Sequence, residues 1–215
     1  MRCLISAGPT WEPLDRVRRL TNFSTGSLGG ELANFLAGQG HDVALLLGET
    51  ATWRASLAAV SVRHFSTTAS LQQRFAELAG WQPEIVFHAA AVSDFTGGSA
   101  HARGTDGALT TVTAGKLSTR EGSLLIELRP TPKLLTELPR LFVGAKVVGW
   151  KFEVDGTADD AVAAGQRQLR ESGTFACVVN GPAYGPGFGI LRPDGQLTRL
   201  PDRSSLFEEL AGLCR

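Results

Sequence analysis

Short apolar runs alternate with amphipathic stretches in the first half of the chain. The run at residues 84–90 is apolar on both faces, which is typical of a strand inside a parallel sheet. Leucine and phenylalanine recur at helical spacing in residues 27–38 and 70–79. The predicted strands are residues 3–7, 43–47, 60–65 and 84–90. This order predicts a three-layer, Rossmann-like α/β fold with a doubly wound, mainly parallel sheet.

The pattern changes after residue 91. Residues 93–119 are rich in Gly, Ser, Thr and Ala, and a strand is predicted at 124–128, so residues 93–129 form a candidate flap. The flap is either a disordered insertion or a segment that orders on a ligand or a partner subunit. The remaining predicted elements are a helix from Pro132 to about residue 142, strands 146–152 and 175–180, a helix at 159–172, a hairpin around 193–195 and a helix at 204–214. We expect a single domain over residues 1–215 that includes the flap and this C-terminal hairpin.

Charge and hydropathy exclude several classes of partner. The 21 basic residues balance the 21 acidic ones, so composition gives no reason to expect binding to nucleic acid or to an anionic membrane. The apolar runs are too short to span a bilayer, and the first residues do not resemble a signal peptide. We therefore expect a cytoplasmic protein whose phosphate binding depends on local geometry.

Cysteine and histidine do not form a metal-binding pattern. The three cysteines are far apart and include no CxxC pair. Cys3 and Cys177 lie in apolar runs and are interpreted as core residues, as is His88 in the fourth strand. We predict no metal ligands from the protein.

The connection after the first strand is unusually long. Residues 8–24 exceed the ~12–15 residues beyond which irregular loops become uncommon, and they follow the carboxyl end of a strand, where open sheets bind ligands. Arg16, Arg18 and Arg19 could bind anionic groups there, and Asn22 could direct a hydrogen bond. The helix entrance at residues 24–30 suits a phosphate, although its glycines could instead serve only close packing.

A series of motifs resembles one known family. Residues 6–15 are SAGPTWEPLD, residues 21–26 are TNFSTG and residues 89–95 are AAAVSDF. The later motifs are GKLS at 115–118, PTPKLL at 130–135, VGWKFE at 148–153 and VVN at 178–180. In this order they are similar to the signatures of phosphopantothenoylcysteine synthetases, and they extend over nearly the whole chain.

The resemblance implies a two-step ligation. The carboxylate of 4′-phosphopantothenate would attack a nucleoside triphosphate, CTP or ATP, with Mg²⁺, giving an acyl-nucleotidylate. The amine of L-cysteine would then displace the nucleoside monophosphate. Family members pair as homodimers, so a dimer is expected as well. The resemblance covers a synthetase domain without a decarboxylase domain, so no flavin is implied.

The same resemblance assigns roles to individual residues. Asn22 would hold the acyl intermediate through its amide, and Lys116 would bind the triphosphate or the acyl phosphate. Ala90 would contact the ligand through its backbone, and Asp94 would help to place the nucleotide. The other residues expected to line the site are Gly8, Thr10, Ser24, Thr25, Gly26, Phe95, Lys151, Phe152 and Asn180, with Lys151 and Phe152 near the base or ribose.

Alternatives remain open for two residues and for the function. Asn22 could cap the next helix, and Lys116, the only lysine between Ser93 and Arg129, could be a solvated surface residue. A divergent relative could therefore bind a nucleotide or metabolite without catalysis. A nicotinamide-dependent reductase is a weaker alternative, because its Tyr-x-x-x-Lys pair is missing: the only tyrosine, Tyr184, is followed four positions later by Phe188.

Overall fold

A computed structural model describes residues 1–56, 60–113 and 123–214. The strands are β1 (Arg2–Ala7), β2 (Trp11–Pro13), β3 (Arg19–Thr21), β4 (Asp42–Gly48), β5 (Val60–Phe65), β6 (Ile85–His88), β7 (Phe95–Arg103), β8 (Leu109–Val112), β9 (Ser123–Pro130), β10 (Lys146–Phe152), β11 (Ala176–Asn180), β12 (Phe188–Leu191) and β13 (Leu197–Leu200). The helices are α1 (Ser27–Gly38), α2 (Thr68–Leu78), α3 (Leu134–Leu141), α4 (Ala158–Ser172) and α5 (Arg203–Gly212). None of the helices within these ranges is long and apolar enough to cross a membrane.

Eight strands form the central sheet, in the order β13-β12-β11-β10-β6-β1-β4-β5. The six from β11 to β5 pair in parallel, whereas β12 and β13 add an antiparallel hairpin at one edge. Numbered along the chain, the parallel strands follow the order 3-2-1-4-5-6 of dinucleotide-binding folds. The predicted parallel sheet and C-terminal hairpin are therefore confirmed.

Helices cover both faces of this sheet. Because side chains alternate along a strand, Ile5 and Leu45 lie in one core, with residues of α1 and α5, while Leu4 and Leu46 lie in the other, with residues of α2 and α3. Helix α4 packs on β10 and β11 and contacts α3. The fold thus has the three layers that the sequence predicts.

The first crossover and the flap form two small sheets of their own. Within the long connection after β1, β2 and β3 pair as an antiparallel hairpin. The flap contains an antiparallel sheet in the order β8-β7-β9, in which Phe95 pairs with Pro130, so the flap leaves and rejoins the domain at one place. Among the described flap residues, the alternative of a disordered insertion is wrong. The predicted strand at 124–128 lies within β9, whereas β7 and β8 were not predicted because few of their side chains are apolar.

Candidate functional site

The site lies where the strand order reverses, between β1 and β6. The chain segments that follow these two strands remain paired: the Ala91 N–H donates to the Gly8 carbonyl at 3.0 Å, and the Thr10 N–H donates to the Ala91 carbonyl at 3.1 Å. The Thr10 hydroxyl also accepts from the Ser93 N–H at 2.8 Å. Open α/β sheets bind ligands at this position, so the structure brings Gly8 and Thr10 together beside Ala90 at the expected edge.

Asn22 is fixed to the same point. Its side-chain amide donates to the Ala91 carbonyl at 3.0 Å, and the neighbouring Thr21 hydroxyl donates to the Thr10 carbonyl at 2.9 Å. Asn22 does not cap α1, because the N-cap position is Gly26. The capping alternative for Asn22 is therefore wrong, and its amide lies at the switch point of the sheet.

The entrance of α1 approaches the end of β1 very closely. Gly8 and Gly26 both have φ near +80°, and a Cβ on Gly26 would lie 3.3 Å from the Gly8 Cα and 3.1 Å from the Ala51 Cβ. The N-cap residue Gly26 has no side chain to cap the helix, and the first turn contains no acidic residue. Ser24 and Thr25 lead directly into this entrance, where the Ser27 N–H donates to the Thr25 hydroxyl at 3.3 Å. The N–H groups that follow Ser27 in the first turn are the ones available to an anion.

A cleft of about 360 Å³ opens beside the switch point, between the ends of β6 and β10 and the helices α3 and α4. Ala90, Asp94 and Lys151, which the sequence predicts as site residues, line it. Lys133, Arg167 and Glu171 also line the cleft. The cleft therefore combines apolar walls with three cationic side chains.

The charged groups of the cleft are partly paired. Asp94 forms an ion pair with Lys133, and the side chains of both are about two-thirds exposed. Lys151 forms an ion pair with Glu153, in which the Lys151 Nζ atom lies 2.9 Å from the Glu153 Oε1 atom. Sequence reasoning missed Lys133 and Arg167. The first belongs to the PTPKLL motif and could have been found there, whereas nothing along the chain distinguishes Arg167 from other helix-surface arginines.

His88 lies in the wall of this cleft. Its ring is buried, its Nδ1 atom is 2.7 Å from the Ser6 hydroxyl, and its edge faces Phe75 at a centroid distance of 5.6 Å. Burial lowers the pKa of His88 to about 4, so the imidazole is neutral near pH 7. These contacts fit the prediction of a satisfied core histidine.

The remaining predicted residues follow the same edge of the sheet. Phe95 begins β7, and Phe152 ends β10 with 61% of its surface exposed. Phe152 pairs with Asn180 at the end of β11, and the Asn180 Oδ1 atom is buried without a hydrogen-bond partner among the described residues. Lys116 lies outside the described residues. The other predicted residues therefore lie on the carboxyl-terminal side of β1, β6, β10 and β11.

Sequence reasoning also missed a buried acid beside the site. Glu12, in β2, is 6% exposed, and its carboxylate accepts from the Thr68 N–H at 2.8 Å and from the Thr96 hydroxyl at 3.1 Å. Thr68 is the first residue of α2, and Thr96 lies in the flap strand β7. Glu12 thus joins the crossover hairpin, a helix entrance and the base of the flap.

The described residues contain no group of three or more His, Cys, Asp and Glu side chains that could hold a metal ion. Mg²⁺ usually keeps several waters and binds through one or two carboxylates together with substrate phosphates. The cleft fits such an ion, because Asp94 and Glu171 both line it. These two carboxylates are the candidates to contact Mg²⁺ that arrives with a triphosphate.

Fold, switch point and cleft together define a three-layer α/β protein with the sheet order of dinucleotide-binding folds and an open cleft at its switch point. The chain belongs to the family described as the DNA/pantothenate metabolism flavoprotein C-terminal domain, whose model matches residues 1–191.

Curated relatives agree with this assignment. The chain is 33% identical over 190 residues, 87% of its length, to a cysteine/cysteine sulfinic acid decarboxylase from an unknown prokaryotic organism, and covers 48% of that protein. It is 28% identical over 179 residues to the coenzyme A biosynthesis bifunctional protein CoaBC of Thermococcus kodakarensis, covering 83% of this chain and 41% of the relative. It is 30% identical over 202 residues to CoaBC of Mycobacterium tuberculosis, covering 91% of this chain and 45% of that relative. The chain thus spans about half the length of these relatives.

Solved structures share the fold. The DNA/pantothenate metabolism flavoprotein of Streptococcus pneumoniae superposes with a TM-score of 0.86 at 23% identity, covering 100% of this chain and 98% of that one. The C-terminal domain of CoaBC gives 0.75 at 22%, covering 99% and 93%. A Cab2 variant in complex with phosphopantothenate-cysteine gives 0.71 at 19%, covering 99% and 84%. At these identities the likeness establishes the architecture.

Proposed function

We propose that this chain is a phosphopantothenate–cysteine ligase, which activates 4′-phosphopantothenate as an acyl-nucleotidylate and couples it to L-cysteine. Membership of the family and the CoaBC relatives, which are named for coenzyme A biosynthesis, support this proposal. The Cab2 structure supports the choice of substrates, because that protein was solved with phosphopantothenate-cysteine.

The single observation that carries the proposal is the position of Asn22. Its amide is fixed on the Ala91 carbonyl at the switch point, beside the cleft that Ala90 lines. Acyl transfer needs donors that are held in place before charge develops on the acyl oxygen. Asn22 meets this requirement because its amide has a second N–H that remains available to a substrate oxygen.

The nucleotide would occupy the cleft with its phosphates toward cationic groups. Lys133, Lys151 and Arg167 supply positive charge, and the α1 entrance supplies backbone N–H groups. Mg²⁺ would lower the negative charge of the triphosphate. The role of Lys116 rests on the family motif. Measuring pyrophosphate release with each nucleotide distinguishes CTP from ATP. The cytoplasmic location stays a prediction.

We also propose a homodimer that pairs through the flap and the crossover hairpin. Val17 and Leu109 are more than half exposed, Phe23 is fully exposed, and Leu128 is 44% exposed. Light scattering should give twice the monomer mass for the wild type and the monomer mass for Leu109→Asp. Val143→Asp is the control and should stay dimeric. It changes an exposed valine near the amino-terminal ends of the central strands, away from the flap and the crossover hairpin.

A divergent, non-catalytic nucleotide-binding relative is the second candidate. The observation that favours it is the scarcity of lysine in the flap, where Lys116 is the only lysine between Ser93 and Arg129. The pairing of Asp94 with Lys133 also leaves that acid less available to a ligand. Such a protein would bind CTP or ATP without releasing pyrophosphate.

The test is release of pyrophosphate from CTP or ATP with Mg²⁺, 4′-phosphopantothenate and, in half of the samples, L-cysteine. Release that requires the acid, followed by nucleoside monophosphate only when cysteine is present, is the expected result. Asn22→Ala should lower the turnover about 10²- to 10³-fold. Asn34→Ala is the matched control and should retain activity. It also removes a hydrogen bond from a side-chain amide to a backbone carbonyl, that of Ser56 at 2.9 Å, but the residue lies within α1. Nucleotide binding without any release would overturn the ligase proposal.

A further inference from the structure

Two of the three cysteines meet in the core although they are 211 positions apart. The Sγ atoms of Cys3, in β1, and Cys214, just after α5, are 3.9 Å apart, and both side chains are buried. Cys177 is also buried, but its side chain packs with residues of α4 on the other face of the sheet. The pair lies near the amino end of β1, whereas Gly8 and the candidate site follow its carboxyl end.

The local contacts leave the two thiols free to approach each other. A disulfide needs a sulfur–sulfur distance of about 2.05 Å, so the two atoms must close by roughly 2 Å. Among the described residues, the other contacts of the two Sγ atoms are long ones, from Cys3 to the Met1 carbonyl at 3.8 Å and from Cys214 to the Leu210 carbonyl at 3.7 Å. The turn that holds Cys214 is anchored next to it, because the Lys146 ammonium donates to the Leu213 carbonyl at 2.8 Å.

The two thiols differ in reactivity. The two sulfur atoms share a hydrogen bond in which either thiol can be the donor. Donation from Cys3 lowers the pKa of Cys214 and raises the pKa of Cys3, and the Lys146 ammonium, which is held on the Leu213 carbonyl next to Cys214, acts on Cys214 in the same direction. Burial also raises the pKa of Cys177, to about 12, and this thiol lies on the other face of the sheet from Cys3 and Cys214. Because the thiolate is the nucleophile, Cys214 is the residue to react first.

We propose that Cys3 and Cys214 form an oxidisable dithiol whose oxidant is a peroxide and whose product is an intramolecular disulfide. The Cys214 sulfur attacks one peroxide oxygen, the O–O bond breaks, and the thiol proton leaves with the other oxygen as water. The Cys3 sulfur then attacks the Cys214 sulfenic acid, the S–O bond breaks, and a second water leaves. Two thiols and one hydrogen peroxide thus give one disulfide and two waters.

The bond would join the first strand to the segment that follows the last helix. Crosslinking such distant residues restricts the unfolded chain, so oxidation should raise the melting temperature by about 5–15 °C, and dithiothreitol should reverse the rise. The proposal is independent of the ligase function, because the pair and the candidate site lie at opposite ends of β1.

The test treats the whole wild-type chain with hydrogen peroxide, unfolds it and alkylates the remaining thiols. The expected result is one alkylated residue, Cys177, and a crosslinked peptide pair that contains Cys3 and Cys214. Three alkylated thiols, or a disulfide that includes Cys177, would refute the proposal.

Matched variants test the order of the two steps. Cys3→Ala should stop the reaction at a Cys214 sulfenic acid that dimedone captures, whereas Cys214→Ala should leave Cys3 as a thiol. Cys177→Ala is the control and should oxidise as the wild type does. Dimedone capture at Cys3 in the Cys214→Ala variant, at the rate seen for Cys214, would contradict the assignment of Cys214 as the first nucleophile.

Discussion

The buried carboxylate of Glu12 accepts a hydrogen bond from the Thr96 hydroxyl at 3.1 Å. Its other oxygen accepts from the Thr68 N–H at the start of α2, at 2.8 Å. One acid therefore holds the crossover hairpin, which leads to Asn22, against both the domain core and the base of the flap. The geometry of the site depends on this contact, because the flap and the hairpin that leads to Asn22 are separate small sheets.

Removing this acid should cost both stability and turnover. Glu12→Ala leaves the Thr68 N–H without its partner, so the free energy of unfolding should fall by about 2–3 kcal/mol in urea titrations. Glu12→Gln keeps an acceptor for Thr68 and should lose less. Glu208→Ala, at an exposed position of α5, should change the free energy by less than about 0.5 kcal/mol. Equal losses for Glu12→Ala and Glu208→Ala would refute a positioning role for Glu12.

Two glycines of α1 should respond oppositely to the same substitution. A Cβ on Gly29 would lie 2.6 Å from the Ala7 Cβ, whereas a Cβ on Gly38 would meet nothing within 4 Å. Gly29→Ala should therefore push α1 away from β1 and destabilise the protein by about 1–3 kcal/mol. Gly38→Ala should be neutral or stabilising by up to about 1 kcal/mol, because alanine favours helix. Thermal unfolding compares the two variants, and a neutral Gly29→Ala would argue against the close packing of α1 on β1.

Stability should depend on pH through His88. Burial lowers the pKa of His88 from 6.5 to about 4 in the folded state. Between these two pKa values the His88 side chain is protonated in the unfolded chain but neutral in the folded chain. Stability therefore falls as the pH drops, by at most about 3 kcal/mol. Urea titrations at about pH 7.5 and about pH 4.5 should show this loss in the wild type and a smaller loss in His88→Gln.

Ser6→Ala is the control for this experiment. It removes the hydroxyl beside the imidazole but keeps the ring buried, so most of the pH dependence should remain. An NMR titration of the wild-type His88 ring gives the pKa directly, and a pKa near 6.5 would remove the physical basis of the prediction.

Nucleotide affinity should depend on Arg167 and not on its neighbour along α4. Arg167 lines the cleft beside Lys151, whereas Arg170 lines a different cavity, beside Arg140. Arg167→Gln should weaken binding of CTP or ATP about tenfold, because a charge-assisted contact to phosphate is lost. Arg170→Gln should leave the affinity within twofold, roughly the scale of a remote surface charge. Titration calorimetry measures both, and equal affinities for the two variants would place the nucleotide elsewhere.

The sequence by itself determined the order of the helices and of the strands of the central sheet. The helix Ser27–Gly38 and the strands Val60–Phe65 and Lys146–Phe152 have the bounds that the hydrophobic pattern predicts. That pattern is local, since a buried face repeats every two residues in a strand and about every four in a helix. The motifs likewise predicted a set of site residues, of which Ala90, Asp94 and Lys151 line one cleft.

Only the tertiary structure decided which distant side chains meet. Nothing along the chain indicates that Arg167 lines the cleft or that Cys3 touches Cys214. The flap strands were also hidden, because β7 and β8 bury little surface and show no apolar face. Contacts of this kind depend on how whole elements pack and which strands become neighbours, and those choices are made by burial summed over the entire sheet rather than by any one segment.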